Sequence, residues 1–303
     1  MIQPSHLKQG DLIGMVCPAG AIPIERVQTC VQTLEAWGYK VAVGKTVGGK
    51  HYTFSGTDAQ RAEDLQIMLD NPEVKAIICA RGGYGLSKII DQINFTKFIA
   101  QPKWVIGFSD ITVLHAAIHQ LGIASIHGPM AAAFNKGVEG EPYVQSIKDV
   151  LEGRPTHFEL GPHASNQIGT ATAPLVGGNL CLIAHLIGSK YSLDTKGKIL
   201  FLEDTTEHHY NLDRMLIQLK NAGLLSNIKG LIVGGFTSFK DEWTDIGQDI
   251  VSMVQSYVKD KTIPIAFDFP ISHELPNYAV KEGVDYCFEV SQTGVVLKEI
   301  AIF

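Results

Sequence analysis

Residues 104–121 read WVIGFSDITVLHAAIHQL. Trp104 to Phe108 form an apolar run of strand length, Ser109-Asp110 interrupts it, and the apolar positions 111, 114, 118 and 121 then fall on one helical stripe. The stretch predicts a strand, a tight turn and a helix, with Ser109 at the strand's C-terminal end. That is a nucleophile elbow in outline. It holds a hydroxyl exposed, while the following N–H and the helix N-terminus offer positive charge to a developing oxyanion. The GxSxG signature is not met, because Ile111 stands at its second glycine. A plain N-cap role for Ser109 or Asp110 competes with the catalytic one.

The same alternation extends toward the N-terminus. Leu12 to Cys17 reads as a strand ending at Pro18-Ala19-Gly20, Ile24 to Trp37 as a helix stopped by Gly38, and Tyr39 to Val43 as the next strand. Asp58 is placed to cap a helix carrying Leu65, Met68 and Leu69. Val74 to Cys79 is again a strand, followed by Arg81-Gly82-Gly83-Tyr84-Gly85 and a helix through Leu86, Ile89 and Ile90. Alternating strands and helices predict a parallel sheet flanked by helices, flavodoxin-like or amidotransferase-like, with its site at the strand C-termini. The glycines of Arg81–Gly85 let backbone N–H groups approach an anion closely, either as part of an oxyanion hole or as an ordinary tight turn. No Gly-Lys-Ser/Thr follows and the GxGxxG spacing is absent, which excludes both nucleotide loops.

Between Leu151 and Thr172 helical periodicity gives way to Gly, Pro, Ser and Asn. The 303 residues therefore divide into a first α/β domain over 1–155, a linker over 156–172 and a mixed α/β domain over 173–303. In the last, Gly177-Gly178-Asn179 opens a helix and Lys198 to Leu202 forms a strand. A helix with Leu212, Met215, Leu216 and Leu219 and a strand from Leu231 to Val233 follow. A terminal hairpin pairs Asp285–Val290 with Val295–Phe303.

Two more polar positions stand out. Glu203-Asp204 follows the apolar strand, so a carboxylate arrives at a sheet edge, where it can orient an imidazole or cap the next helix. His273 lies in the Pro-punctuated loop Phe269–Asn277, a general-base candidate or a solvated histidine. His115 and His119, four apart on a helix, and Glu207-His208-His209 suggest zinc; the first pair lacks the glutamate of HExxH, and the second reads better as the polar start of a helix. No metal or cofactor is expected.

Composition narrows the class. A net charge of −6 without a basic stripe argues against nucleic acid. No run of about 18 apolar residues predicts a membrane span, and polar residues interrupt the first 16 positions before a signal-peptide core forms. Five scattered cysteines without a CxxC pair read as reduced, buried thiols. A cytoplasmic location is expected.

Together, ARGGYG (80–85), PKWVIGFSDIT (102–112), HGPM (127–130), GGNL (177–180), ILFLEDTTE (199–207), LDRMLIQL (212–219) and FPISHELPN (269–277) resemble the LD-carboxypeptidase family of serine peptidases, which also contains the microcin-immunity hydrolases. The resemblance implies Ser109 as nucleophile, Glu203 as the residue that orients the base, and His273 as that base. With that nucleophile, the N–H of Asp110 and one from the Gly82-Gly83-Tyr84 turn are the expected oxyanion donors. Arg81 is the cation best placed by sequence to recognise a free carboxylate. The implied substrate is a muropeptide losing a terminal D-alanine during cell-wall recycling, and the implied assembly a homodimer. Hydrolysis of aminoacyl-nucleotide conjugates is the alternative within the family. A non-catalytic small-ligand-binding protein is the alternative outside it.

Overall fold

The computed structural model describes residues 1–240 and 246–300. It divides into two compact units, Met1–Arg154 with Tyr278–Lys281, and Pro155–Asn277 with the segment from Glu282 onward.

The first unit carries strands β1 (Leu12–Val16), β2 (Lys40–Val43), β3 (Val74–Cys79), β4 (Trp104–Gly107) and β5 (Ser125–His127). Helices α1 (Glu25–Ala36), α2 (Asp58–Asp70), α3 (Thr96–Ala100), α4 (Thr112–Gln120) and α5 (Glu141–Leu151) connect or follow them. The sheet order is β2-β1-β3-β4-β5, extended beyond β5 by a late strand, Val280–Glu282. β1 through β5 pair in parallel. This is the flavodoxin-like order, whose switch point lies between β1 and β3. Strands covered on both faces by helices must be apolar throughout, and all four residues of β4 are buried. Thr57, rather than Asp58, caps α2, through a reciprocal capping box with Gln60. The segment after Gly85 forms two short 3₁₀ turns, Leu86–Lys88 and Ile90–Gln92, in place of the expected helix. Spacing at 86, 89 and 90 suits either period over so short a run.

The second unit carries β6 (His157–Leu160), β7 (Gly169–Asn179), β8 (Ile199–Thr205), β9 (Gly230–Thr237) and β10 (Ile265–Ala266). After the late strand of the first sheet, here β11, come β12 (Asp285–Val290) and β13 (Val295–Glu299), with helices α6 (Leu180–Leu186), α7 (His209–Asn221) and α8 (Ile250–Val258). The order β10-β9-β8-β7-β12-β13-β6 is parallel from β10 to β7 and antiparallel from β7 to β6. β7 serves both halves. Its first part alternates in burial and pairs with β12, whereas its last five residues are all buried and pair with β8. Leu212, Met215, Leu216 and Leu219 of α7 pack into a core with Leu200, Val233 and Met253.

Three expectations are corrected here. The stretch 156–172 is not a bare linker, because it holds β6 and the start of β7. The span 173–303 is not all one unit, because Tyr278–Lys281 belongs to the first. Cys181 and Cys287 are half-buried, unlike Cys17, Cys30 and Cys79. The hairpin runs from Asp285 to Glu299 as expected, and its last expected residues, 301–303, lie outside the described ones. Among the described residues, no helix is long and apolar enough to cross a membrane.

Candidate active site

The chemistry-bearing side chains form two clusters, one in each unit. In the first, β4 ends at Gly107 and Ser109 follows with φ 64°, in the left-handed region that a residue with a Cβ seldom adopts. Such strain persists only where the surroundings impose it. They do so through the Gly107 carbonyl, which accepts from both Gly128 N–H at 3.1 Å and His115 Nε2–H at 2.9 Å. Burial pushes His115 down to about 4, against the pull of its bond to the Gly107 carbonyl. His119 Nε2 lies 3.0 Å from Ser125 Oγ, and the pair thus braces the elbow and β5.

Neither Ser109 nor Asp110 caps α4 with its side chain. Asp110 instead turns its buried carboxylate to the N–H of Leu86, 2.9 Å away, and so fastens the elbow to the Arg81–Gly85 turn. Burial pushes Asp110 up to about 6, with the Leu86 N–H and the Arg61 charge pulling the other way. The two segments touch at Gly82. A Cβ there would lie 3.0 Å from Ser109 Cβ and 3.2 Å from the Asp110 nitrogen, so glycine is what lets the turn reach the serine. Gly82 O accepts from Gly20 N–H at 2.8 Å, which adds the loop after β1 to the assembly. Tyr84 is exposed, its ring 5.8 Å from that of Phe54. Arg81 is also exposed, its guanidinium donating to the Ala21 carbonyl.

Sequence reasoning missed Arg61. Fully buried on α2, it donates to the carbonyls of Pro18 at 2.6 Å, Gly85 at 3.0 Å and Gly56 at 3.3 Å, pairs with Asp58, and lies 4.9 Å over the Phe54 ring. One guanidinium thus ties together three loops at the carboxyl edge of the sheet, a use of its planar fork of donors that lysine cannot copy.

In the second unit β8 continues through Thr205, so Glu203 and Asp204 lie within the strand rather than just past it. Neither caps α7, whose N-cap is His208. Glu203 is wholly buried and accepts a 2.5 Å hydrogen bond from His273 Nδ1–H. Burial disfavours the imidazolium, yet the Glu203 hydrogen bond and charge, with Asp204 and Glu274 behind them, raise His273 above its ordinary 6.5. Asp204 faces another way. It accepts from Asn179 Nδ2 at 2.8 Å, Cys181 N–H at 2.9 Å and its neighbour Thr205 N–H at 2.8 Å, and so anchors the N-terminus of α6. Burial and the Glu203 charge push Asp204 up to about 6.

A second missed feature is Gly234-Gly235 in β9. A Cβ on Gly234 would lie 2.2 Å from the Ile271 carbonyl oxygen, and one on Gly235 would lie 2.2 Å from Ser272 Oγ. Their absence lets the Phe269–Asn277 loop lie flat on the strand, held by Phe269 N–H to Val233 O at 3.0 Å and Gly235 N–H to Ile271 O at 2.8 Å. His273 is thereby delivered to Glu203. The signal was present in the sequence as two glycines inside an apolar strand.

Comparison with known proteins decides the family. Residues 13–128 match the LD-carboxypeptidase N-terminal domain and residues 172–287 the LD-carboxypeptidase C-terminal domain. A probable murein peptide carboxypeptidase of Bacillus subtilis is 33% identical over 300 residues, covering 98% of this chain and 94% of its own. The chain belongs to the LD-carboxypeptidase family. It is accordingly a hydrolase of the carboxypeptidase class. The murein tetrapeptide carboxypeptidase of Pseudomonas aeruginosa is 29% identical over 284 residues, 89% of this chain and 91% of its own. Among solved structures, the muramoyltetrapeptide carboxypeptidase of Oxalobacter formigenes superposes with a TM-score of 0.87 at 28% identity, over 96% of this chain and 99% of that one. The microcin C7 self-immunity protein MccF, at 20% identity and a TM-score of 0.88 over all of both chains, shares the fold.

Proposed function

We propose that this LD-carboxypeptidase is serine-type and removes the terminal D-alanine of a murein tetrapeptide through an acyl-enzyme. The observation that carries the reading is the left-handed backbone of Ser109 at the end of β4, a strained elbow with no capping duty. The substrate comes from the relatives named for murein peptides. Cell-wall recycling, a cytoplasmic location and a homodimer belong to the same reading through the family.

In this mechanism His273 Nε2 takes the Ser109 proton as Oγ attacks the scissile carbonyl carbon. Glu203, already holding Nδ1–H, stabilises the imidazolium. The N–H of Asp110 and one from Gly82-Gly83-Tyr84 stabilise the oxyanion, at about 3 kcal/mol per donor. His273 returns the proton to the leaving amine, the C–N bond breaks, and Ser109 is left as an ester. Water, losing a proton to His273, attacks that ester; the C–Oγ bond breaks, Ser109 Oγ takes the proton back from His273, and the shortened peptide leaves. Arg81 supplies the cation for the free terminal carboxylate.

Steady-state turnover of a murein tetrapeptide against an aminoacyl-nucleotide conjugate tests the reading. D-Alanine release should exceed conjugate cleavage in kcat/KM by at least about 100-fold. The reverse preference moves the chain to the immunity branch, and binding of the peptide without turnover makes it a binding protein.

A further inference from the structure

A pocket of about 530 Å³ opens in the first unit, with Ala21, Ile24, Glu25, Lys50, Tyr52 and Arg81 among its walls. Its volume falls in the range of small-molecule sites and far exceeds what a methyl side chain fills. Its walls come from the loops that follow β1, β2 and β3, at the carboxyl edge of the sheet and at the β1/β3 switch point. It also begins beside the elbow. Gly82, against which Ser109 rests, is bonded through its carbonyl to Gly20, and the next residue along that loop, Ala21, holds the Arg81 guanidinium.

The charges and the apolar surface of this pocket point the same way. Arg81 and Lys50 stand against Glu25, so the lining carries one net positive charge, and Arg81 is held in place by the Ala21 carbonyl. Two large apolar side chains line the space without being covered: Ile24 is 40% exposed and Tyr52 is 83% exposed. Tyr52 also sits at φ 57°, in a turn closed by His51 N–H to Phe54 O at 2.7 Å and Phe54 N–H to His51 O at 3.0 Å. Its ring meets the His51 ring edge-on at 4.9 Å. So exposed a side chain gains little burial to offset a left-handed backbone, and strained residues of this kind cluster at ligand clamps.

We infer that this pocket is the subsite for the terminal residue of the peptide, with the free carboxylate on Arg81 and a bulky apolar or aromatic side chain against Ile24 and Tyr52. The enzyme then releases terminal D-residues much larger than alanine. This rests on the activity proposed above and extends it to a class of leaving group. The bond broken is the same amide, and water is the only co-reactant.

The test compares murein tetrapeptides ending in D-alanine, D-leucine and D-phenylalanine, by kcat and KM, on the wild type, Tyr52→Gly and Ile24→Ala. Glycine adopts φ 57° without strain, so the first variant keeps its turn. The wild type should cleave the D-phenylalanine peptide with kcat/KM within about tenfold of the D-alanine peptide or above it. In each variant the ratio of the two should fall about tenfold, through KM. Cleavage of the D-alanine peptide with the D-phenylalanine peptide more than about 100-fold slower overturns the subsite and leaves the activity standing. So does a ratio that neither substitution moves. Cleavage of none of the three overturns the proposed activity, and the subsite with it.

Discussion

Ser109→Ala should lower kcat on the murein tetrapeptide by about 10⁴- to 10⁶-fold while peptide binding and melting temperature stay near wild type. The size of the loss follows from the role: without Oγ no acyl-enzyme forms, and what remains is the effect of holding substrate among oriented donors. Stability should hold because Ser109 is only half-buried and alanine accepts the same left-handed backbone at similar cost. The positions that impose that backbone, the Gly107 carbonyl with its two donors and Gly82 beneath, are untouched. Steady-state kinetics with calorimetric binding separates the two effects. A variant within tenfold of wild type in kcat removes Ser109 from the mechanism.

Glu203→Gln should show the second largest effect, about 10⁴-fold in kcat, by analogy with the loss of the carboxylate in other serine triads. The amide keeps the shape of the side chain but holds the wrong histidine tautomer and no longer stabilises the imidazolium. Its pH signature is distinctive. A general base works unprotonated, so in the wild type the acid limb of kcat/KM should have its midpoint above 6.5, because Glu203 raises His273. With the Glu203 charge gone, burial dominates and lowers His273, so the limb should move to lower pH in the variant. The same raised value implies that the ion pair stabilises the fold below about 6.5 and that this contribution is lost as pH rises through the folded-state value. A pH profile on both proteins checks the direction. An acid limb that stays in place dissociates Glu203 from His273 in the working enzyme.

The elbow was legible because the hydrophobic period switches from strand to helix within residues 104–121, and nothing non-local is needed to see it. Glu203 was legible as a residue but not in its placement. The apolar pattern stops at Leu202, whereas β8 continues because β7 and β9 still pair with it, and the carboxylates are carried inside the strand. Arg61 and Asp110 show what local reading cannot reach. Their partners lie 24 to 43 residues away for the Arg61 bonds to Gly85 and Pro18, and 24 away for Asp110 to Leu86. β6 escaped notice for a related reason: four residues with one buried side chain make no periodicity, and the strand exists because β13 is there to pair with it. The roles proposed for Ser109, Glu203 and His273 rest on seven ordered blocks read together, since each residue alone had an ordinary structural explanation.

Labelling with a serine-directed fluorophosphonate, followed by mass spectrometry of the digested protein, tests the nucleophile most directly. One adduct should form, on the peptide that contains Ser109, and His273→Ala should slow its formation by orders of magnitude. An unlabelled protein that still cleaves its peptide, or an adduct on any other residue, contradicts the account.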